Sequence, residues 1–470
     1  MNHLSVDLSK KFSGKKCILL GAGVSNMPLA KMLCGMGAEV EVRDKKSAAE
    51  MGERGAELLS LGVRIVSGEG YLEHMRADYI FRSPGFRPDI PELREAAAAG
   101  AVITAEMDEF IENCPCTVIG VTGSDGKSTT TTLISLIVKE EGVPDRTVFL
   151  GGNIGEPLLN RIGDMKSGDV VCAELSSFQL MTVSAPVDIA VIKNVTPNHL
   201  NWHTGMDEYI AAKARILRGC KKAVLNYDDE VCRELAKQCG APVIWFSRHR
   251  IPNDALEGCA GGVFIDGGAM IAHTNGTERV VMHRSDILLP GDHNAENYCT
   301  AVAATLGFAG DEAVRRVAKT FGGVRHRLQL VREKDGVRYY NSSIDSSPTR
   351  TAAALSALEG PVRIICGGYD KKLPFKPLAE ALVKDKNVRT IILTGATREK
   401  IKAAIEAHPD YKSSGIEIIE KPDFTEAVLA AARSAHPGDA VLLSPACASF
   451  DAFANFEERG DRFAEIVNSL

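Results

Sequence analysis

The stretch Thr117-Val-Ile-Gly-Val-Thr-Gly-Ser-Asp-Gly-Lys-Ser-Thr129 constrains this chain more than any other. An apolar run of strand length passes through glycines into a lysine and hydroxyl residues that open a helix. Gly123 and Gly126 let backbone N–H groups close around phosphate oxygens, Lys127 brings a point charge to the outer phosphates, and Ser128 and Thr129 offer hydroxyls at the helix N-terminus, where Ser128 can hold Mg²⁺. The spacing departs from a strict G-x-x-x-x-G-K-S, because Val121 stands where the first glycine would fall. A glycine turn without a ligand is the alternative. A G-K-S-T run straight after a buried strand points instead to a nucleoside triphosphate with magnesium.

Length and charge narrow the partners. At 470 residues and 45% hydrophobic content, the chain exceeds one ordinary domain of about 100 to 200 residues. A net charge of −6 with both signs interspersed offers no basic face, so no nucleic acid is expected. The N-terminus lacks the charged start, apolar run and cleavage site of an export signal, and no apolar stretch approaches about 18 residues. A cytoplasmic monomer without membrane contact is expected. The twelve cysteines include no C-x-x-C pair, which argues against zinc ribbons and a disulfide framework. Cys114-Pro-Cys116 has no second pair to complete a metal site and reads as structural.

Three times the chain starts over with an apolar strand, a glycine turn and a helix, the pattern of successive α/β layers with parallel sheets. The starts are at Lys16-Cys-Ile-Leu-Leu-Gly-Ala-Gly23, at Thr117, and after Arg338-Tyr-Tyr-Asn341, recurring at Val362, Thr390 and Ala440. Boundaries are expected near residue 106 and at Gly322-Gly323, giving domains 1–106, 107–324 and 325–470. Ala255 to Thr277, rich in glycine and short apolar pieces, reads as a small β-meander.

Polar groups recur at strand ends. Gly21-Ala-Gly-Val-Ser-Asn26 looks like a dinucleotide fingerprint, with Asp44 ending the second strand in position for a ribose hydroxyl, but Asn26 replaces the third glycine. A nicotinamide cofactor is thereby disfavoured, although a diphosphate still fits the turn, and Ser83-Pro84-Gly85 would face the same crevice. After the phosphate loop come Asn153-Ile-Gly155, Cys172-Ala-Glu-Leu-Ser-Ser-Phe-Gln179 and Asn194-Val-Thr-Pro-Asn-His199. As an ordered series, Glu174 and His199 read as ligands of a hard divalent cation together with Ser128. Lys213, in the helical Tyr209-Ile-Ala-Ala-Lys-Ala-Arg215, would by itself be a solvated surface charge. In Gly291-Asp-His-Asn-Ala-Glu-Asn297 the two asparagines, Asn294 and Asn297, lie three apart at a helix start, where the first can cap and both can face one ligand edge. His326-Arg327 follows the glycine pair and can reach a triphosphate.

Phosphate loop, Glu-Leu-Ser-Ser-Phe-Gln, Asn-Val-Thr-x-x-His, Ala-Ala-Lys, His-Asn-x-x-Asn, His-Arg and Leu443-Ser-Pro-Ala-Cys-Ala-Ser-Phe-Asp451 follow one another in an order that resembles the Mur ligases over nearly the whole chain. The short N-terminal unit, the Ser-Pro-Ala-Cys-Ala-Ser segment with Asn455-Phe456 after it, and the Gly367-Gly-Tyr-Asp-Lys371 turn resemble the D-glutamate-adding branch most. The Asp-Asn-Pro-Arg signature of members that add a diamino acid is absent. The resemblance implies an α/β chain of three domains: a Rossmann-like UDP-binding one, a central P-loop ATPase-type one and a Rossmann-like C-terminal one. It implies ATP-driven ligation of D-glutamate to UDP-N-acetylmuramoyl-L-alanine through an acyl phosphate, in peptidoglycan precursor synthesis. By the family pattern Lys127, Ser128 and Glu174 serve ATP and one Mg²⁺, while His199 and a carbamylated Lys213 serve a second. Val24, Ser25, Asp44, Lys45, Ser83, Pro84 and Gly85 look like UDP-sugar contacts, with Asn153 near the diphosphate. Asn294, Asn297, His326 and Arg327 look like adenine and phosphate contacts, and Ser346, Lys371, Ser449, Phe450 and Phe456 would hold D-glutamate.

Two departures stand out. Asp125 occupies a loop position that is usually asparagine in the family, placing a negative charge beside phosphates. In Asn341-Ser-Ser-Ile-Asp345 the family's aspartate is Ser342, and Asp345 can substitute for it in the ATP site if the segment turns helically. The rival readings are a related Mur or folylpolyglutamate-type ligase, and a nucleotide-sugar-binding module without ligation.

Overall fold

The computed structural model describes residues 8–470 apart from 24, 201, 290 and 371–373. Among the described residues the strands form three sheets. Two of them lie in one compact unit, Met1–Asp286 with Ala295–Ala318, and the third in another, Ile287–Asn294 with Lys319–Leu470.

The first sheet has five parallel strands in the order Arg64–Ser67, Glu39–Asp44, Lys16–Leu20, Tyr79–Arg82, Val102–Thr104. Strand order reverses at Lys16–Leu20, which opens a crevice beyond its carboxyl end, the usual ligand position in such sheets. Cys17, Ile18, Leu19 and Leu20 are all fully buried, because helices cover both faces of a parallel sheet.

The second sheet has nine strands, with Thr117–Thr122 flanked by Val170–Glu174 on one side and Ile189–Ile192 on the other. The sheet continues parallel through Lys222–Asn226, Val243–Ser247 and Gly261–Asp266, and the last two strands, Ala269–Thr274 and Thr277–His283, turn antiparallel. The expected meander therefore exists, but it runs over Gly261–His283 after a short helix at Asn253–Glu257, and it is built as an extension of this sheet's edge. Cys114 and Cys116 lie buried just before the Thr117 strand with their sulfurs 3.5 Å apart.

The second unit holds a six-stranded sheet in the order Gln329–Lys334, Val337–Asn341, Ala440–Leu443, Val362–Gly367, Val388–Thr394, Glu417–Glu420. All its pairings are parallel except the first. No described helix is long and apolar enough to cross a membrane.

Candidate active site

The phosphate loop joins the Thr117–Thr122 strand to the Lys127–Glu140 helix. Gly126 starts that helix at φ +73°, and a Cβ there would lie 2.6 Å from both Asn297 Oδ1 and Lys193 Cε. A Cβ on Gly123 would meet the Lys193 Cβ at 2.9 Å. The Lys193 stem is thus the floor beneath both glycines, which explains why side chains are excluded there. Asn194 shapes the loop: its main-chain and side-chain oxygens both accept from the Ser124 N–H at 2.9 Å, and the side chain accepts from the Asp125 N–H at 2.9 Å. Lys127 Nζ donates to the Ser124 carbonyl at 3.0 Å, so its ammonium folds over the loop. Ser128 is buried in the first turn of the helix, followed there by the partly exposed Thr129, and the Asp125 carboxylate is exposed.

Glu174 ends the neighbouring strand and is buried. Its Oε1 accepts from the Asn153 amide at 2.9 Å, whereas its Oε2 is buried with no hydrogen-bond partner. An orphaned carboxylate oxygen is costly unless a donor or cation reaches it. A hard cation bound by oxygen ligands meets that need, and the Ser128 hydroxyl and Glu174 carboxylate are of that type. Among the described residues no group of three or more His, Cys, Asp or Glu side chains is placed to hold a metal, so such an ion would depend on ligands of other types.

Lys213, which its local sequence alone would leave a surface charge and which the resemblance implies is a site residue, is 1% exposed. Its Nζ donates to the Gly123 carbonyl at 2.6 Å and lies 4.6 Å from the centre of the Tyr209 ring. Burial, reinforced by the nearby Lys127 charge, lowers its pKa to about 7, so the amine is readily neutral and nucleophilic. His199 sits at φ +55° with its ring 5.0 Å from Phe178. Its pKa is lowered, first by burial and then by Lys127 and Lys213, which leaves a nitrogen lone pair free near neutral pH.

At the first sheet, Asn26 does more than spoil a glycine fingerprint. Its amide donates to the Leu20 and Gly21 carbonyls at 2.9 Å each and lies 2.9 Å from Ser83 Oγ, tying two strand ends across the crevice. Asp44 accepts from the Ala22 and Lys46 N–H groups at 2.9 Å each. Ser25 and Asp44 are half-buried and Lys45 is exposed. Ser83, Pro84 and Gly85 form a turn in which the Phe86 N–H donates to the Ser83 carbonyl at 3.0 Å. Val24 and Lys371 lie outside the described residues.

The remaining expected residues scatter more. The helix bearing Asn294 and Asn297 opens at Asp292, so Asn294 lies inside the first turn rather than at the cap. Asn297 Oδ1 accepts from Thr130 Oγ1 at 3.3 Å, beside Gly126. In the second unit His326 is buried at φ +62°, 3.2 Å from the Asn341 amide, with its ring edge-on to Phe456, while Arg327 is exposed. Burial lowers the His326 pKa despite the Asp461 charge. The Ser342–Ser347 segment is a turn, not a helix, yet it brings Asp345 back onto Ser342, with the Asp345 N–H donating to the Ser342 carbonyl at 3.0 Å. Asp345 Oδ2 accepts from Ser444 Oγ at 2.8 Å. Ser346 is half-buried, Ser449 is buried, and Phe450 is 63% exposed against Tyr369. Asp345→Ala is expected to raise the ATP requirement of the catalysed reaction about tenfold, the usual scale for one buried charge-assisted contact; steady-state kinetics with an unchanged KM for ATP would remove Asp345 from the ATP site.

Comparison with known proteins decides the family. Residues 121–305 match the family model described as Mur ligase middle domain, and residues 326–447 match that described as Mur ligase, glutamate ligase domain. The UDP-N-acetylmuramoylalanine--D-glutamate ligase of Acetivibrio thermocellus is 42% identical over 476 aligned residues that cover all of both chains. The ligase of the same name from Clostridium novyi is 44% identical over 460 residues, 97% of each chain. The chain belongs to the Mur ligase family. As a member it is an ATP-dependent ligase that forms amide bonds. Its fold is also that of a UDP-N-acetylmuramoyl-L-alanyl-D-glutamate--2,6-diaminopimelate ligase, with a TM-score of 0.56 at 18% identity over 98% of this chain and 93% of the other. The MurF ligase from Thermotoga maritima in complex with ADP shares it too, with a TM-score of 0.51 at 18% identity over 98% and 97%.

Several residues that build the site carry no motif of their own. Lys193 is 2% exposed and its ammonium is paired with Glu296 at 2.5 Å. Tyr209 OH lies 3.0 Å from Ser124 Oγ. Arg459 is 2% exposed and donates to Ser343 Oγ and to the carbonyls of Ser343, Cys447 and Ala448 at 2.8–3.1 Å. It thereby staples the segments that lead into Ser346, Ser449 and Phe456. A readable signal existed only for Tyr209, four residues before Lys213 on the same helix face.

Proposed function

We propose that this ligase joins D-glutamate to UDP-N-acetylmuramoyl-L-alanine in the cytoplasm, acting as a monomer in peptidoglycan precursor synthesis. The observation that carries the reading is the meeting of the phosphate loop with a buried, readily neutral Lys213 at the carboxyl end of an interior strand of the central sheet. The full-length relatives named for D-glutamate ligation support the choice of amino acid. The chain divides as 1–106 for the UDP-sugar, 107–324 for ATP and 325–470 for the amino acid, a division supported by the one sheet within each range.

In this reading the γ-phosphoryl of ATP passes to the alanyl carboxylate, the amine of D-glutamate attacks the acyl carbon, and phosphate leaves from the tetrahedral intermediate. Phosphoryl transfer asks the protein mainly for position and charge neutralisation. The Gly123 to Thr129 loop, Asp125 included, surrounds the triphosphate and orients it through the N–H groups that Asn194 does not already hold, and Lys127 neutralises charge on the transferred group. Asn294, Asn297, His326 and Arg327 hold the adenine and outer phosphates, with Asp345 in the role that the family gives to an aspartate. Ser25, Asp44, Lys45 and the Ser83-Pro84-Gly85 turn hold the UDP-sugar, with Asn153 on its diphosphate side. Ser346, Ser449, Phe450 and Phe456 surround the incoming amino acid, together with Lys371. Ser128 and Glu174 would hold one magnesium ion and His199 and Lys213 a second, and these ions would supply charge neutralisation on the phosphates. Lys213 is carbamylated in the working enzyme. A neutral amine forms a C–N bond to CO₂ and, on losing a proton to solvent, becomes a carbamate anion, which provides the second carboxylate-like group that the site otherwise lacks.

Phosphate release tests the reading. With UDP-N-acetylmuramoyl-L-alanine, ATP and Mg²⁺, D-glutamate is expected to trigger phosphate and ADP formation, and L-glutamate, L-lysine and diaminopimelate are not. Release with another amino acid reassigns the enzyme within its family, and release with none refutes ligation on this acceptor.

A further inference from the structure

Residues outside the assigned contacts join the Ser83-Pro84-Gly85 turn to the phosphate loop. Arg87, two residues after that turn, donates to Glu208 Oε1 at 2.8 Å and Oε2 at 3.1 Å, and to the Trp202 carbonyl at 2.8 Å. Its guanidinium also lies 5.1 Å from the centre of the Trp202 ring, and the indole N–H donates back to the Gly85 carbonyl at 3.2 Å. Asp89 takes the remaining Arg87 donors at 2.8 and 2.9 Å.

Glu208 is the hub. Its Oε2 also accepts from the Thr204 N–H at 2.9 Å and from His203 Nδ1 at 3.1 Å. Because the carboxylate needs a donor, Nδ1 carries the proton, and His203 Nε2 accepts from Ser177 Oγ at 2.9 Å. Ser177 stands three residues after Glu174. Glu208 itself lies in the first turn of the Met206–Ala214 helix, where a negative charge is favoured. The next residue of that helix, Tyr209, reaches Ser124 of the phosphate loop, and its last turn holds Lys213 against Gly123. One carboxylate therefore links the turn of one sheet to three groups around the phosphate loop of the other, through a bidentate, charge-assisted pair of the stronger kind.

We propose that Glu208, clamped by Arg87, is a positioning residue that couples the two substrate sites: a nucleotide-sugar seated on the Ser83–Gly85 turn steadies the Met206–Ala214 helix and with it the phosphate loop, so that acceptor and ATP bind cooperatively. The identity of the two ligands rests on the proposed function; the linkage itself rests on the bonds above. Coupling is reciprocal by thermodynamic necessity, and ordinary couplings run from about five-fold upward.

Calorimetric titration of the full chain with a non-hydrolysable ATP analogue and Mg²⁺, with and without UDP-N-acetylmuramoyl-L-alanine, reads it directly. In the unmodified sequence the acceptor is expected to tighten nucleotide binding at least about five-fold. Glu208→Gln and Arg87→Ala should each bring that factor below two while each ligand alone binds within two-fold of the original, and Arg87→Lys should restore part of it. Retained coupling in both variants overturns the proposal, as does its absence in the parent chain. Loss of each ligand's separate affinity would assign these residues a purely structural role and also overturn it. A parent chain that binds ATP but not this acceptor refutes the proposed function instead, and one that ligates without coupling refutes only the inference drawn from Glu208.

Discussion

Replacing Lys213 by alanine is expected to abolish ligation almost completely, a fall on the order of a thousand-fold, the scale at which removing one preorganised electrostatic group acts in other active sites. The side chain is buried against the Gly123 carbonyl and the Tyr209 ring, so its loss leaves a hole beside the phosphate loop and removes the group proposed to be carbamylated. The variant should still fold, since removing a desolvated amine relieves burial of an ionisable group. Its pH dependence is equally specific. The folded-state pKa is lowered to about 7 from 10.5, so the amine is protonated below pH 7 and neutral above it. Carbamylation, and with it activity, should fall as pH drops through 7 and recover with added bicarbonate. For the unmodified protein the sign is fixed in the same way: the unfolded chain binds more protons between pH 7 and 10.5, so stability contributed by this site rises with pH across that window. An alanine variant that ligates normally removes Lys213 from the mechanism, and a native enzyme at pH above 7 that shows no carbamate carbon resonance after incubation with ¹³C-bicarbonate removes the modification.

Gly126→Ala is expected to weaken ATP binding about a hundred-fold with acceptor binding unchanged. At φ +73° a residue with a Cβ carries about 1–2 kcal/mol of backbone strain. The new methyl would also press on Asn297 Oδ1 and Lys193 Cε at 2.6 Å. The lysine cannot swing away freely, because its ammonium is buried against Glu296, and disturbing a buried polar group costs about 1–3 kcal/mol more. Together these reach the 2.8 kcal/mol or so that corresponds to a hundred-fold. Calorimetry with ATP analogue and Mg²⁺ checks it; a change under three-fold would show that the loop has slack the geometry does not suggest.

What the sequence made legible follows from how local each feature is. The phosphate loop was readable because strand, turn and helix start occupy thirteen consecutive residues, and the parallel sheets because apolar runs buried on two faces look unlike alternating ones. The meander was readable as strands but not as an edge of the central sheet, since the Ile244–Gly261 pairing leaves no periodic mark. Lys193 and Glu296 lie 103 residues apart, and Arg459 reaches Ser343 across 116. Each looks alone like an ordinary charged residue, and only folding brings its partner. For Lys213 the same limit holds: an Ala-Ala-Lys helix by itself suggests a surface charge and gives no hint of burial, and only the family resemblance pointed to a role in the site. Asn26 was seen as a missing glycine, whereas its amide takes over the job of holding two strand ends together.

The chain has only two tryptophans. Trp245 is packed inside the central sheet beside Tyr227, 5.4 Å between ring centres, whereas Trp202 lies on the seam with a guanidinium on its face and its N–H on the Gly85 carbonyl. If, as proposed, a nucleotide-sugar seats on the Ser83–Gly85 turn, Trp202 is the tryptophan whose ultraviolet emission is expected to respond, so that titrating UDP-N-acetylmuramoyl-L-alanine in a cuvette reports binding without a label.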